Sequence, residues 1–236
     1  MNNATIKLKV KQRLNKLASN DYDNLQDWHI IEAFNKALVS WSRRNIAGTN
    51  TKKIGDEGNT RRIEDFQVLL SELPMETIKR ERFEESPLLP KDYMHFKRVH
   101  AKADLECDCD ETHEMKVWLV EEGNVDDLLR DELKKPSFAW SETFCTLFNN
   151  QLRVYTNDEF KLKDVKLVYY RQPRKIEMAG VSNPYNTQEK STKEVECEYK
   201  DDLVELIIDE AVKILASDLE NVTVYQVASE SVETNN

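Results

Sequence analysis

The hydrophobic period of this chain changes twice, and that constrains its fold more than any single motif. Ile6, Val10, Leu14 and Leu17 recur at spacings of four, four and three, which marks one helical face ringed by Lys7, Lys9, Lys11, Arg13 and Lys16. Ile6–Lys11 also alternates like a strand, so the first turn reads either way. Asp23 followed by Gln26 has the spacing of a capping box. Trp28, Ile31, Phe34, Leu38 and Trp41 then step by three, three, four and three. That stripe needs a cover, and the preceding helix, across a short connection, is the expected one. Ala33 and Ala37 allow close approach, and Arg43 and Arg44 suit a helix C-terminus.

Gly48, Gly55 and Gly58 fall in a polar stretch at 47–60 that reads as a loop, and Ile63, Phe66, Val68, Leu69 and Leu70 suggest a third helix over 61–73. Between Pro74 and Pro173 the period becomes that of strands, at Met115–Val120, Phe144–Phe148, Gln151–Thr156 and Val165–Arg171. Asn149-Asn150 predicts a two-residue hairpin, because Asn tolerates positive φ. A short helix is expected within 124–135, before Pro136, and the polar stretch 179–193 leads back to helix. The last helix is predicted over 201–219. Leu203, Leu206, Ile207 and Ile214 form one stripe, and Val204, Ile208, Ala211 and Leu215 form a second, so burial on more than one side is expected. The polar remainder reads as a tail that orders on binding.

The expected fold class is α+β. An N-terminal helical hairpin (1–73) and a C-terminal linker and helix (179–219) form a bundle around an inserted antiparallel β-rich region (74–178). A polar C-terminal tail (220–236) follows.

The chain has 236 residues, a size for one domain or a domain with a subdomain, and its mean hydropathy of -0.69 implies a strongly hydrated surface. It contains no run of about 18 apolar residues and no apolar leader, so no membrane contact is expected. Cys107, Cys109, Cys145 and Cys197 are expected to be free thiols. The net charge of -10 hides a gradient: residues 1–62 carry a net of +6 and residues 176–236 a net of -10. Unlike ends attract within one subunit or between neighbours, where such patches steer association and fix register.

Chemistry has little to work with. Cys107, Cys109, His113 and His100 are metal-ligand types, but their spacing fits no common zinc pattern. Asp104, Glu106, Asp108, Asp110 and Glu111 form an acidic run without the glycine an EF-hand turn needs. No nucleophile elbow, phosphate loop or His-Glu-x-x-His occurs, and His29 beside Trp28 reads as a rim residue. No catalytic, cofactor-binding or metal residues are therefore assigned, no cofactor is implied, and the chain does not read as an enzyme. The basic N-terminal third, including Arg43, Arg44, Lys52, Lys53, Arg61 and Arg62, could meet phosphates, but no recognition module accompanies it.

Several stretches resemble structural proteins of crAss-like bacteriophages. They are Arg13–Asn24 through Trp28, Glu32–Ala37 and Trp41–Arg44, then Pro136–Phe144, Leu89–Tyr93 and Tyr169–Pro173. The nearest resemblance is to the ring protein beneath the portal, which is similar to the head-to-tail adaptors of short-tailed phages. That resemblance implies a virion structural protein, assembled in the host cytoplasm and located at the portal vertex or tail. It implies a homo-oligomeric ring, a dodecamer, around the channel for genomic DNA. The portal protein and the next ring or tail protein would be its neighbours. The alternatives are a ring or tail-barrel protein lower in the stack, or a DNA-binding packaging accessory protein.

Overall fold

A computed structural model describes residues 1–15, 25–49, 60–105, 112–181, 191–219 and 222–235. The chain divides into two compact units, one of Met1–Leu69 with Gln172–Asn236 and one of Leu70–Arg171. It is an α+β protein with helices at both termini.

The first unit is helical. It contains α1 (Asn3–Asn15), α2 (Asp27–Ile46), α3 (Thr60–Phe66), α5 (Asp201–Asp218) and α6 (Val222–Asn235). The alternating start of the chain is helix, with Ile6, Val10 and Leu14 buried. α2 begins at Asp27 rather than after Asp23, which lies outside the described residues. Asp27 faces the positive end of the α2 dipole and receives Lys7 (2.5 Å) and Lys11 (3.5 Å) from α1. Burial alone would raise its carboxyl pKa, but the two lysines outweigh that and hold it below its ordinary value.

The expected pairing of α1 with α2 is only part of the packing of these helices. The two touch, but each packs more extensively on α5, and α6 packs there as well. The doubled stripe of α5 explains this: Leu203, Val204, Ile207, Ile208, Ala211 and Leu215 are all buried. A helix apolar on two sides is the more extensive cover for Phe34, Leu38 and Trp41. Trp41 also meets Phe66 and Tyr199 (ring centroids 5.5 and 5.7 Å), and Ser42 Oγ lies 2.7 Å from the Tyr199 hydroxyl.

Two further expectations change. The polar tail is α6, which buries Val224, Ala228 and Val232. These recur every four residues, but the Gln, Ser and Glu between them hide the stripe from a hydropathy reading. The helix predicted over 61–73 stops at Phe66 and gives way to a 3-10 turn, Gln67–Leu69, and a strand. Phe66 and Leu69 are buried while Val68 and Leu70 are exposed, so the apolar set does not share one helical face.

The second unit is one eight-stranded sheet in the order β1-β8-β4-β5-β6-β7-β3-β2. Its strands are β1 (Leu70–Met75), β2 (Ile78–Lys79), β3 (Phe83–Leu88), β4 (Tyr93–Asp104), β5 (Thr112–Leu119), β6 (Glu142–Phe148), β7 (Gln151–Tyr155) and β8 (Lys161–Arg171). β1 and β2 lie at opposite edges, yet only Glu76 and Thr77 separate them. Three Cα steps span at most about 11 Å. The sheet must therefore curl until its edges nearly meet, with Val99, Ala101, Met115, Leu152, Phe160 and Leu167 inside. Glu84 closes the seam: its carboxylate accepts the Leu162 N–H (2.8 Å) and the Thr77 hydroxyl while 4% exposed. Pro74, which has no N–H to give, sits on edge strand β1.

All ladders are antiparallel except β5–β6, whose crossover carries α4 (Val125–Arg130). Asn149 and Asn150 join β6 to β7 at φ 49° and 59°, the two-residue hairpin predicted from the sequence. Val125 of α4 covers Phe144 and Tyr155 on the outer face of the sheet.

Candidate functional site

Part of the charge gradient is satisfied inside the helical unit. The N-terminal amine meets Asp201 (2.6 Å), Lys9 meets Glu205, and Arg13 bridges Glu205 (2.6 Å) and Asp209 (2.8 Å). Burial raises the Asp209 carboxyl pKa, and Arg13 opposes that rise. Arg44 meets Glu210, which is 8% exposed. Of the two choices left open by the sequence, attraction within one subunit is the one these contacts display. Arg43, one residue away, is exposed and has no carboxylate in range among the described residues.

Arg43 instead belongs to a groove of about 1160 Å³ on the second face of α2. Trp28, Ile31 and Val39 line it from the helix, while Ile176, Met178 and Val181 line it from the opposite wall. That wall is a short hairpin held by the Glu177–Val195 bridge and by the Gly180 N–H to the Ser191 carbonyl (2.9 Å). Gly180 turns at φ 83°, a conformation that suits glycine.

Two asparagines pin the wall. Asn35 Oδ1 accepts the Ile176 N–H (2.8 Å), and its Nδ2 donates to the Ile176 carbonyl (3.1 Å). Asn3 Nδ2 donates to the carbonyls of Glu177 (2.9 Å) and Val195 (3.0 Å). The rim is basic: Lys36, Arg43, Lys175 and Lys193 line it, all exposed and without an ion-pair partner among the described residues. Glu32 and Glu177 are its carboxylates. Sequence reasoning missed this site because Trp28 and Ile31 were assigned to the same stripe as Phe34. The signal was present, since Trp28, Ile31, Asn35 and Val39 are themselves spaced three, four and four apart.

The candidate metal ligands do not converge. Cys107 and Cys109 lie outside the described residues. His100 pairs with Lys116 across β4–β5, whereas His113 is three residues from Lys116 and so points to the other face. His113 stacks on Phe138 (4.2 Å) and lies 3.1 Å from its carbonyl. Of the acidic run, Asp104 alone is described; its carboxyl is held below its ordinary pKa by hydrogen bonds from Lys163 and Thr112. Among the described residues no three His, Cys, Asp or Glu side chains come together as a metal site. Burial pushes the Cys145 thiol up to about 12 and raises Cys197 as well, which removes both as nucleophiles at neutral pH. His29 Nδ1 accepts the Gln26 N–H (3.2 Å) at the start of α2, a capping role.

Large apolar side chains stand in solvent on the β unit. Leu133 is 91% exposed and Trp140 79%. Trp118 is half exposed, with the Lys116 ammonium 4.0 Å from its ring centre. Leu133 follows an acidic prong, Glu121–Glu132, in which Glu121, Asp126, Asp127 and Glu132 are exposed and lack a cation in range among the described residues. No described helix is long and apolar enough to cross a membrane. No protein family matches the sequence, and no curated protein matches it.

Proposed function

We propose that this chain is the subunit of a head-to-tail connector ring in the virion of a crAss-like bacteriophage, seated on the portal around the DNA channel. The observation that carries this reading is the set of large apolar side chains left in water on the β unit, Leu133, Trp140 and Trp118 among them. Where such groups adjoin on a surface they form a site of protein contact. The sequence resemblance names the assembly. The role is coupling and gating by contact, without chemistry.

The second reading is a ring or barrel protein lower in the tail stack. The curled eight-stranded sheet favours it, because tail barrels are built from strands. A DNA-binding accessory role loses support from Arg13 and Arg44, which are engaged by carboxylates.

The deciding experiment mixes the purified chain with the portal oligomer of the same phage and images the product by electron microscopy. A discrete ring stacked on the portal is expected. Docking through α6 is tested with Val222→Ser and Val227→Ser, which are exposed and leave its buried face intact. A portal that remains bare at saturating subunit argues for the lower position in the stack.

A further inference from the structure

We propose that neighbouring copies of this chain join by seating the acidic prong of one copy, Glu121–Leu133, in the basic α2 groove of the next. The proposal rests on the ring reading and names the two surfaces that would make the ring's repeating contact.

The groove is long and open, and it combines apolar side chains with a basic rim. Its volume of about 1160 Å³ leaves room for a polypeptide segment. Trp28, Ile31, Val39 and Met178 supply its apolar part, and aliphatic side chains there are matched by an apolar side chain of a partner. A polypeptide that carries carboxylates around an apolar side chain satisfies floor and rim together.

The chain itself carries such a segment. The prong presents Glu121, Asp126, Asp127 and Glu132 without cations of their own among the described residues, and Leu133 stands 91% exposed beside them. Across the contact these meet Lys36, Arg43, Lys175 and Lys193, while Leu133 reaches the apolar floor. Dimensions agree as well. From Trp28 to Arg43 the groove runs about 22 Å at the helical rise, and α4 is about 9 Å long. Groove and prong are different surfaces, so the contact is heterologous, the kind that builds rings.

A charge swap tests the pairing. One variant carries Lys36→Glu with Arg43→Glu, and the other carries Asp126→Lys with Asp127→Lys. All four positions are exposed, and matched thermal midpoints check that both variants fold. Sedimentation equilibrium of the full chain at low ionic strength is expected to show self-association that weakens with added salt. Each variant alone should lose about tenfold or more in association constant, and an equimolar mixture of the two should regain it. As a second measurement, a photo-crosslinking residue at Leu133 should label peptides spanning Trp28–Arg43 or Lys175–Lys193 of another copy.

A wild type that stays monomeric, variants that associate as the wild type does, or a mixture that fails to recover overturns the pairing. Rings that still form on the portal with either variant alone would refute the pairing and leave the connector reading standing. A bare portal with a recovered mixture would do the reverse.

Discussion

Replacing Asn35 by Ala should detach one wall of the α2 groove while leaving the helical core in place. Asn35 makes two hydrogen bonds to the backbone of Ile176, at 2.8 and 3.1 Å, and Ile176 is only 3% exposed. Two ordinary hydrogen bonds contribute about 2 kcal/mol together. Because Ile176 is buried, its N–H and carbonyl do not find water easily when the partner is removed, and that carries the cost to about 4 kcal/mol. At a factor of ten per 1.4 kcal/mol, the Ile176 amide should lose roughly thirtyfold to several-hundredfold of its hydrogen-exchange protection. The loss should spread through the Glu177–Val195 bridge, where Asn3 provides the remaining anchor. Amides of α5 should exchange at the wild-type rate. Asn35→Asp separates the two bonds, since it keeps the acceptor for the Ile176 N–H and deletes the donor. The measurement is exchange of individual amides by NMR in wild type, Asn35→Ala and Asn35→Asp. Unchanged protection of Ile176 in Asn35→Ala would refute the reasoning.

Three further outcomes follow from buried or paired groups. Glu84→Ala should lower the unfolding free energy by about 2–4 kcal/mol, because the Leu162 N–H and Thr77 hydroxyl lose a charged acceptor; a urea midpoint unchanged from wild type contradicts the seam assignment. Cys145 should resist iodoacetamide at about pH 8 in the native protein and react in urea, because burial holds its thiol well above its unfolded value; mass mapping of the alkylated peptides reads this directly. Asp27 titrates below its ordinary value when folded, so its contribution to stability is present above the unfolded value of 3.8 and is lost as pH falls through the lower folded one. Thermal melts of wild type should thus fall steeply below about pH 4, and the double variant Lys7→Ala, Lys11→Ala should show a shallower acid decline.

What was legible in the sequence was whatever a single period could express. Phe34, Leu38 and Trp41 announced α2, the doubled stripe of α5 announced a helix covered on more than one side, and Asn149-Asn150 announced its hairpin. β1 to β4 were not legible, because charge dilutes their alternation. In β4, Val99, Ala101 and Ala103 face inward between His100 and Lys102, and two of those three inward groups are alanines. α6 was hidden for a related reason, since Ala228 is the middle contact of its buried face. The groove was illegible for another cause. One wall comes from α2 and the other from residues about 140 positions later, held by the Asn35–Ile176 bonds at a sequence separation of 141. No local pattern encodes a contact at that distance. The prong was visible as acidic residues, but only exposure distinguishes Leu133 from a core leucine.

The assignment of groove and prong to different units has a consequence for closure. A heterologous contact closes into a ring only if the rotation between neighbours divides a full turn, and otherwise it propagates as a filament. The groove belongs to the helical unit and the prong to the β unit, so the two chain crossings between units, Leu69–Leu70 and Arg171–Gln172, help set that rotation. The crossings leave the sheet from adjacent strands, because Leu70 is paired with Tyr170 across β1–β8. Neither crossing includes a groove-lining or prong residue. Inserting a Gly-Ser pair at both crossings should therefore leave the pairwise association constant near its wild-type value while changing what the pairs build. Electron microscopy of assemblies from this variant should show rings of mixed size or open arcs in place of one closed species. Rings of unchanged, uniform size would mean that closure is dictated elsewhere, by contacts confined to a single unit.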